Sequence, residues 1–509
     1  MHLNKSRIIR LSWDDNVVVA LSDLEPGAEL GEGKIAVKNS IPVRHKVAIE
    51  DIPSGNFIRK YGQIIGVASK DIKAGEHVHT HNLAMSEFNR DYKIGQAAAP
   101  TAILSESEQA KFNGIVRENG QVGTRNFIGV LPTVACSASI GQYIATAVGK
   151  EILAAYPHVD GIVGFNQTSG CGQAPYGDGF ENLQRSLAGY ANHPNFWGVL
   201  IVGLGCEVNQ IGLLLENTNL KPSVRLQSLD IQQTGGTEPT VKRGVEIIKG
   251  MLPAADQIKR QPLPASHLVV GLECGGSDAY SGITANPALG VAADLVVRNG
   301  GTAILSETTE IYGAEHLLTR RAANGEVAQK LIDLIHWWED YTRKNGALIN
   351  NNPSPGNKAG GLTTILEKSL GAVAKGGSTN LVEVYRYAAA VRQKGLVFMD
   401  TPGYDLPSIT GMVAGGANVI CFTTGCGSVV GCKPVPVIKL ASNSPMFNRM
   451  VQDMDINCGE IGDGKKTVEE MGELIFQKIL DTASGKKTKS EALGFGSNEF
   501  VPWQIGAVL

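Results

Sequence analysis

The sequence predicts a multidomain α/β protein, in which a small all-β module precedes two layered α/β domains. Residues 1–95 hold short β-branched runs that Pro or Gly interrupts about every 8 to 12 residues, as in compact all-β folds. From residue 113 onward, strand-like runs alternate with helix-like segments, which favours layered sheets with parallel pairing. We therefore predict domains at 1–95, 113–255 and 267–509, with a linker at 96–112.

The β module is predicted from apolar runs at 16–21 and 56–62, and it ends in three alternating histidines. In an extended segment, alternation places His77, His79 and His81 on one face. Neighbouring imidazoles suit metal ligation or acid–base chemistry. A solvated strand edge that carries histidines is the alternative.

The first α/β domain is predicted from buried strands that begin near Phe127, Gly161 and Trp197. Helices are expected at 140–153, around 181–191 and at 241–251. Polar corners follow these strands, and ligands bind at such strand ends because open amides and helix N-termini converge there.

Four cysteines stand at corners after predicted strands: Cys136, Cys171, Cys206 and Cys274. Three interpretations stay open. They are small buried residues, or they bind iron in an iron–sulfur cluster or a mixed site. A nucleophilic cysteine has the least support, because no histidine shares a local motif with one.

The second α/β domain begins at 269–290, where a buried strand breaks into Glu273-Cys-Gly-Gly-Ser-Asp278. Two glycines let backbone amides approach a ligand, while acids, a thiol and a hydroxyl crowd one turn. A tight turn with a satisfied polar cluster is the alternative. Further strands are expected near Thr302, Leu396, Asn418 and Val435, with a long helix at 327–343.

A second candidate loop, Asn352 to Lys358, is stiffened by two prolines and ends in a cation. We expect it to close over an anionic substrate with Lys358 facing a carboxylate, and a rigid surface loop is the alternative. Further oxygen and amide ligands are offered by Glu207, Asn209, Asp278, Asn286 and Glu307.

Composition and motifs exclude several function classes. The net charge of −3 gives no electrostatic reason for a nucleic-acid or anionic-membrane partner. No apolar run reaches the roughly 18 residues of a spanning helix. No GxGxxG follows a strand and no Walker loop occurs, so nicotinamide and nucleotide cofactors such as NAD are not expected. PLP is not expected either. Met1 to Lys5 lacks an apolar signal core, and eight cysteines in 509 residues suit a reducing compartment, which together predict a cytoplasmic location.

With these residues in view, the chain resembles the altronate/galactarate dehydratase family over essentially its whole length. The first part resembles that family's SAF-type β-clip module at 44–52, 59–62 and 77–82. The middle resembles its first α/β segment at 122–126, 131–134 and 203–207, and the remainder its carboxy-terminal segment at 273–278, 281–287 and 352–358. The His-x-His-x-His ending is more similar to altronate dehydratases than to the galactarate enzymes.

The resemblance implies dehydration of a sugar acid such as D-altronate to a 2-keto-3-deoxy acid, with Fe²⁺ or another divalent ion such as Mn²⁺. We expect proton transfer from His45, Lys46, His79 and His81, and metal ligation by His77, His79 and His81. The expected substrate-binding residues are Arg125, Asn126, Glu207, Asn209, Glu273, Ser277, Asp278, Asn286, Asn357 and Lys358. A small-molecule substrate and a homo-oligomeric assembly are expected.

Two residues depart from the family pattern. Gln167 stands where many members carry a histidine, and Cys426 stands where members carry the arginine of Thr-Gly-Arg-Gly. These departures leave galactarate, or another aldarate or aldonate, open as the substrate. Elimination of sulfite from a hydroxylated sulfonate such as sulfolactate is a rival reaction, and a non-catalytic sugar-acid binder is the rival outside enzymes.

Overall fold

The structure is a computed structural model that describes residues 7–31, 35–86 and 90–507. Residues Met1 to Lys5, on which part of the cytoplasmic prediction rests, lie outside these ranges. Of the helices in the described ranges, none is both long enough and apolar enough to cross a membrane.

The amino-terminal module is all-β, as predicted. Its described residues form β1 (Ile8–Ile9), β2 (Val17–Ala20), β3 (Glu29–Leu30), β4 (Ile35–Ala36), β5 (Lys46–Ala48), β6 (Phe57–Lys60), β7 (Gln63–Ala68), β8 (His77–Val78) and β9 (Leu83–Ala84). They pair antiparallel in sheets ordered β1-β2-β5-β8, β3-β4 and β6-β7-β9. Every residue of β2 is buried, because the strand is apolar throughout and is covered on both faces.

The middle of the chain is a parallel sheet covered by helices. Its strands are β10 (Lys111–Val116), β11 (Val122–Gly123), β12 (Phe127–Pro132), β13 (Gly161–Gly164), β14 (Phe196–Gly203), β15 (Leu226–Asp230) and β16 (Gln261–Pro264). Its helices are α1 (Ala138–Leu153), α2 (Asp178–Ala191), α3 (Ile211–Asn217), α4 (Ile231–Thr234) and α5 (Thr237–Ala255). The sheet order is β13-β12-β14-β15, all parallel, and β10 joins β11 and β16 in a separate antiparallel sheet.

The division of the chain into domains stays a prediction, and the structure adds two details to it. The stretch between residues 255 and 267 is not all loop, because β16 pairs there with β10. The predicted linker at 96–112 contains the first residues of β10.

The carboxy-terminal part is built on a larger parallel sheet. Its strands are β17 (Val269–Cys274), β18 (Thr302–Leu305), β19 (Leu381–Tyr385), β20 (Gly395–Met399), β21 (Val419–Thr424), β22 (Val437–Ala441) and β23 (Ile456–Asn457). Its helices are α6 (Ala285–Arg298), α7 (His316–Thr319), α8 (Gly325–Lys344), α9 (Pro355–Ala359), α10 (Ile365–Val373), α11 (Asp405–Ala414), α12 (Ser444–Arg449), α13 (Gly459–Gly462), α14 (Val468–Ala483) and α15 (Lys489–Leu493). The order is β19-β20-β18-β17-β21-β22-β23, and each neighbouring pair is parallel.

The strand order of this sheet identifies where a ligand would bind. The chain passes from β17 to β18 and β20 on one side, and then returns to add β21 and β22 on the other side of β17. Ligands of open α/β sheets bind outside the carboxyl ends of the strands at such a reversal. Here that point lies between the corner at 274–278 and the corner at 424–427, both singled out in the sequence.

Helices α2 and α11 pack side by side, and their packing determines how the two parallel sheets are oriented relative to each other. Each helix begins at the carboxyl side of its own sheet, after β13 and β20 respectively. Asp178 begins α2, and Asp400 directly follows β20. The two side chains are close enough for the charge of Asp178 to add to the effect of burial in raising the pKa of Asp400. At the other end, a Cβ on Gly189 would meet the carbonyl oxygen of Ala414 at 2.3 Å, a close contact that requires glycine. The carboxyl edges of both sheets therefore face the same side.

Candidate active site

Three histidines of the β module form a close group. One ring nitrogen from each of His45, His77 and His79 can be chosen so that all three lie within 4.8 Å of one another. Nδ1 of His45 and Nε2 of His77 are 3.0 Å apart in a hydrogen bond, and Nδ1 of His79 is buried without a partner among the described residues. The structure thus groups His45, instead of His81, with His77 and His79.

The histidines lie close together because of a turn, and not because of alternation along an extended strand. Only His77 and Val78 are in a strand, and the chain then turns, with the amides of Asn82 and Leu83 donating to the carbonyl of His79. This turn stacks the rings of His77 and His79 with 5.5 Å between centroids and brings His81 to 5.3 Å from His77. His81 is exposed at the rim.

The electrostatics of the group favour neutral imidazoles. Burial lowers the pKa of His79 to about 3 and that of His77 to about 4, and burial also lowers the pKa of His45. A neutral imidazole keeps the lone pair that a metal ion needs. A divalent ion therefore fits these three side chains, and His79 offers a nitrogen that nothing else occupies.

A buried ion-pair network joins the module to the carboxy-terminal part. Nζ of Lys46 donates to both carboxylate oxygens of Glu367 at 2.8 and 3.0 Å and to the carbonyl of Gly361 at 2.8 Å. Lys60 donates to the same carboxylate at 2.9 Å, and Thr363 donates to it at 2.6 Å. Burial lowers the pKa of Lys46 to about 8, while the two lysines hold the pKa of Glu367 well below its usual range against the opposing effect of burial. All three donors of Lys46 are used, so in this geometry it acts as a tether.

The loop around α9 lies between the histidines and the corner at 273–278. Nε2 of His45 is 3.3 Å from the carbonyl of Ala359, and the Asn357 amide donates to the carbonyl of Ser277 at 2.8 Å. A Cβ on Gly361 would meet the carbonyl oxygen of Arg44 at 2.4 Å, so only glycine allows this approach. The histidine module and the predicted corner thus belong to one assembly.

Asp278 organises the switch-point corner. One oxygen accepts from Ser281 and Ser442, and the other accepts from Asn443 at 3.1 Å and Arg44 at 3.2 Å. Asp278 is 1% exposed, whereas the side chain of Arg44 is 30% exposed. Arg44 also adopts a left-handed backbone with φ of 75°, a strained conformation that is concentrated at functional sites.

Buried acids lie at the carboxyl ends of β17 and β18. The sulfur of Cys274 lies 3.2 Å from a carboxylate oxygen of Glu307 and 3.3 Å from one of Glu310, and its single S–H is shared between them. Lys375 pairs with Glu307 at 2.8 Å, and Lys368 pairs with Glu310 at 2.6 Å. Each of these two carboxylates is therefore paired with a buried lysine, whereas the neutral imidazoles of the histidine group pair with no charged group in the described part of the chain.

Two further carboxyl groups of this cluster bind protons readily. Burial, reinforced by the charge of Glu307, raises the pKa of Glu273 well above its usual range and that of Asp405 to about 7. Ser408 donates to Glu273 at 2.7 Å, and the second oxygen of Glu273 has no partner among the described residues. A carboxylic acid that is protonated at neutral pH is a group that general-acid catalysis can use.

We expect Asp405→Asn to weaken the pH dependence of stability. The folded-state pKa of Asp405 lies above the ordinary value of 3.8, so its stabilising protonated form is fully present below pH 3.8 and is lost as the pH rises through about 7. Between pH 5 and 8 the wild type should lose roughly 1 to 4 kcal/mol relative to the variant, at about 1.4 kcal/mol per pKa unit. Denaturant unfolding of both proteins at the two pH values measures this difference, and parallel curves would contradict it.

The structure divides the four candidate cysteines between two places. Cys274 is buried in the carboxy-terminal cluster, beneath the acids that it contacts. Cys136, Cys171 and Cys206 are exposed and follow strands of the middle sheet. Cys274 thus differs from the other three in burial and in the sheet that it follows.

The remaining predicted substrate residues lie in different surroundings. Arg125 and Asn126 precede β12, at the opposite end of the middle sheet from its polar corners, and Arg125 binds both oxygens of Glu491 at 2.6 and 2.8 Å. The Asn286 amide donates to the carbonyl of Gly371 at 2.9 Å. Lys358 forms no ion pair with a described residue. Glu207 and Asn209 lie in the loop after β14, next to Cys206.

Several residues of the site went unrecognised in the sequence. Glu367, Lys368 and Lys375 lie in stretches that look like ordinary helices, and only their burial in ion pairs distinguishes them. Arg44 and Lys60 did carry a signal, because they lie in the segments 44–52 and 59–62 that resemble the family.

Comparison with known proteins matches most of the chain in three consecutive parts. Residues 6–86 match the altronate/galactarate dehydratase SAF domain, 114–256 the second domain of D-galactarate dehydratase/altronate hydrolase, and 265–508 the carboxy-terminal domain of D-galactarate/altronate dehydratase. Together with the fold and the histidine group, these matches define the class: a hydro-lyase in which an SAF module is joined to two α/β segments. The chain belongs to the galactarate/altronate dehydratase family, as its motifs predict.

Individual relatives extend over nearly the full length. Galactarate dehydratase (L-threo-forming) of Escherichia coli is 38% identical over 94% of this chain and 93% of its own. Altronate dehydratase of Bacillus subtilis is 36% identical over 96% and 97%, respectively. The β subunit of (2R)-sulfolactate sulfo-lyase of Chromohalobacter salexigens is 30% identical over 77% of this chain and 96% of its own. These relatives make the chain an enzyme, and the alternative of a non-catalytic binder falls away.

Proposed function

We propose that this enzyme removes water from a sugar acid such as D-altronate and forms the 2-keto-3-deoxy acid 2-dehydro-3-deoxy-D-gluconate. The observation that carries the proposal is the group of neutral imidazoles at His45, His77 and His79, tethered through Lys46 and Glu367 beside the corner at 273–278. In this reaction a proton leaves C2, the C3 hydroxyl leaves as water, and the resulting enol tautomerises to the 2-keto acid.

His45, His77 and His79 would hold a divalent ion, for which Fe²⁺ is our first choice and Mn²⁺ the second. Such an ion supplies positive charge to the carboxylate and its neighbouring hydroxyl, which stabilises the otherwise unfavourable anion formed at C2. Imidazole nitrogen is a suitable ligand for both metals. The close approach of the three ring nitrogens supports this ligand set.

The protein's own groups complete the proposed chemistry. His81, exposed at the rim next to His77, would accept the C2 proton. Glu273 and Asp405 retain protons near neutral pH and can supply one to the departing hydroxyl. Arg44 and Lys358 offer cations to the substrate carboxylate, and Arg44 can match its geometry in a bidentate contact.

Altronate is the preferred substrate because of the His-x-His-x-His segment at 77–81, and galactarate is the second candidate. The galactarate relative is 38% identical and the altronate relatives are 36% identical, so identity does not separate them. Sulfite elimination is a third candidate, supported by the sulfo-lyase relative that matches 77% of the chain.

A substrate panel tests the proposal. Purified enzyme with Fe²⁺ or Mn²⁺ is incubated under reducing conditions with D-altronate, galactarate, other aldonates and aldarates, and sulfolactate, while keto acid and sulfite are measured separately. We expect keto acid from D-altronate at the highest kcat/KM and no sulfite from sulfolactate. Sulfite release without keto acid from any sugar acid would overturn the assignment.

We further propose that the enzyme works in the cytoplasm as a homo-oligomer. All eight cysteines are free, as a reducing compartment favours. Light scattering of the purified protein measures the assembly, and a monomeric mass would contradict the second part.

A further inference from the structure

We propose that Cys136, Cys171 and Cys206 form a three-thiolate site for an iron–sulfur cluster, separate from the histidine group and independent of the substrate proposed above. The site lies at the carboxyl edge of the four-stranded middle sheet. Cys136 follows β12, Cys171 follows β13 and Cys206 follows β14, which are neighbours in the order β13-β12-β14. Residues that follow adjacent parallel strands are brought together at one edge.

Hydrogen bonds join the three cysteine-bearing loops to one another. The amide of Ala135 donates to the carbonyl of Ser169 at 2.9 Å, which links the loops of Cys136 and Cys171. The backbone amide of Asn209 donates to the carbonyl of Gly170 at 3.1 Å, and its side-chain amide donates to the carbonyl of Thr133 at 3.1 Å. Each loop is thus bonded to both of the others, close to its cysteine.

Buried groups hold this arrangement in one conformation. The carboxylate of Glu207 accepts from Thr133 at 2.7 Å and from the amides of Leu204 and Gly205 at 3.1 and 2.6 Å. Gly170 has φ of 98°, and a Cβ there would meet the carbonyl oxygen of Thr133 at 2.3 Å. A ligand site whose loops are fixed in advance binds its cofactor without the cost of ordering them. Glu207 therefore serves as a positioning residue.

The thiols are accessible, and side-chain N–H donors lie near them in space or in the sequence. All three are exposed and unpaired, and thiolates are the ligands that iron–sulfur clusters take. The amide of Gln232 donates to the sulfur of Cys206 at 3.3 Å. Gln167, 2% exposed, has an amide nitrogen without a partner among the described residues, four residues before Cys171. Such N–H groups donate to cluster sulfur and tune its potential.

A cluster, unlike a single ion, does not need the three thiols to share one coordination shell. Among the described residues, no group of three His, Cys, Asp or Glu ligand atoms within 4.8 Å of one another contains any of these cysteines. A structural zinc ion needs four ligands in one tetrahedral shell. A cluster spreads its thiolates further apart, because each one bonds a different iron, and three cysteines leave one iron of a four-iron cluster without a protein thiolate.

The position of the site relates it to the rest of the enzyme. Because α2 and α11 pack side by side, the cysteine edge faces the same side of the molecule as the carboxyl edge of the larger sheet. The proposed cluster site and the proposed substrate site therefore lie at sheet edges that face the same side.

The test is the iron and acid-labile sulfide content of the full chain, expressed and purified without oxygen. We expect about four sulfides per chain, visible absorption and an electron paramagnetic resonance signal after reduction. Cys136→Ser, Cys171→Ser and Cys206→Ser should each lose nearly all the sulfide. Cys426→Ser, which alters an exposed thiol on the other sheet, should keep it, as should His79→Ala.

Iron and sulfide analysis of the wild-type protein alone can overturn the proposal. The test therefore remains decisive even if a cysteine variant fails to fold. Anaerobic wild-type protein that is colourless and free of labile sulfide contradicts it, even after reconstitution with iron and sulfide. The proposal is also contradicted if the wild type binds one zinc ion per chain and the three cysteine variants lose it. It is contradicted as well if all three variants retain the sulfide.

Discussion

Replacement of Glu367 by glutamine is expected to destabilise the protein by about 3 to 5 kcal/mol, the usual cost of breaking a buried ion pair on one side. The carboxylate accepts from Lys46 and Lys60, and all three side chains are at most 1% exposed. A neutral amide leaves two ammonium groups buried without a counter-charge. Denaturant and thermal unfolding measure the loss, and we expect it in the transition that includes the β module.

Two comparisons make this expectation specific. Asp51→Asn removes the Lys73–Asp51 pair, which has a similar length of 2.9 Å but is more than half exposed, and it should leave stability unchanged. The combined change Lys46→Met, Glu367→Leu and Lys60→Met removes the charges altogether and should recover most of the loss. The expectation is wrong if Glu367→Gln is as stable as the wild type, or if the triple variant is as unstable as Glu367→Gln. In either case, the cost of leaving a buried charge unpaired would not explain the stability of the module.

We expect His79→Ala to lose bound metal and to reduce turnover by about a hundredfold or more, as loss of a ligand or an acid–base group commonly does. His79 is in the ligand group, and its Nδ1 is free of other partners. Metal analysis after dialysis and keto-acid kinetics on the same preparation measure both effects. Folding is checked by the unfolding midpoints of both proteins after the metal is removed, which should differ little because the side chain makes no hydrogen bond through that nitrogen.

The matched control is His336→Ala, an exposed histidine of α8 outside the site. It should retain both metal and turnover. Near-normal kinetics with full metal content in His79→Ala would remove this histidine from the centre and move attention to the acids around Glu273.

Local pattern was sufficient for most of the fold. The apolar runs at 127–132, 196–203 and 269–274 are strands, and the helix expected at 327–343 is α8 at 325–344. The strands were predictable because their apolar runs are short, rich in β-branched residues and followed by polar or glycine-rich corners, and the helix because α8 is long and amphipathic. The SAF-like start was recognised through its motifs.

The site was predictable in its parts and not in its assembly. The histidine segment and the corner at 273–278 stand out by composition, but His45 joins the group only because β5 pairs with β8. The extended face expected for His77, His79 and His81 is instead a turn, formed by backbone hydrogen bonds that leave no compositional trace. Glu367 was missed because a single glutamate in a helix signals nothing until two lysines are buried against it.

By itself the sequence determined the class of fold, the family and the residue types that carry the chemistry, since these depend on local periodicity and on motifs of contiguous residues. Only the tertiary structure decided which of those residues meet: His45 with His77 and His79, Cys274 with buried acids, and the other three cysteines at a separate edge. Such meetings depend on strand order and on contacts between residues hundreds of positions apart, and no local pattern encodes them.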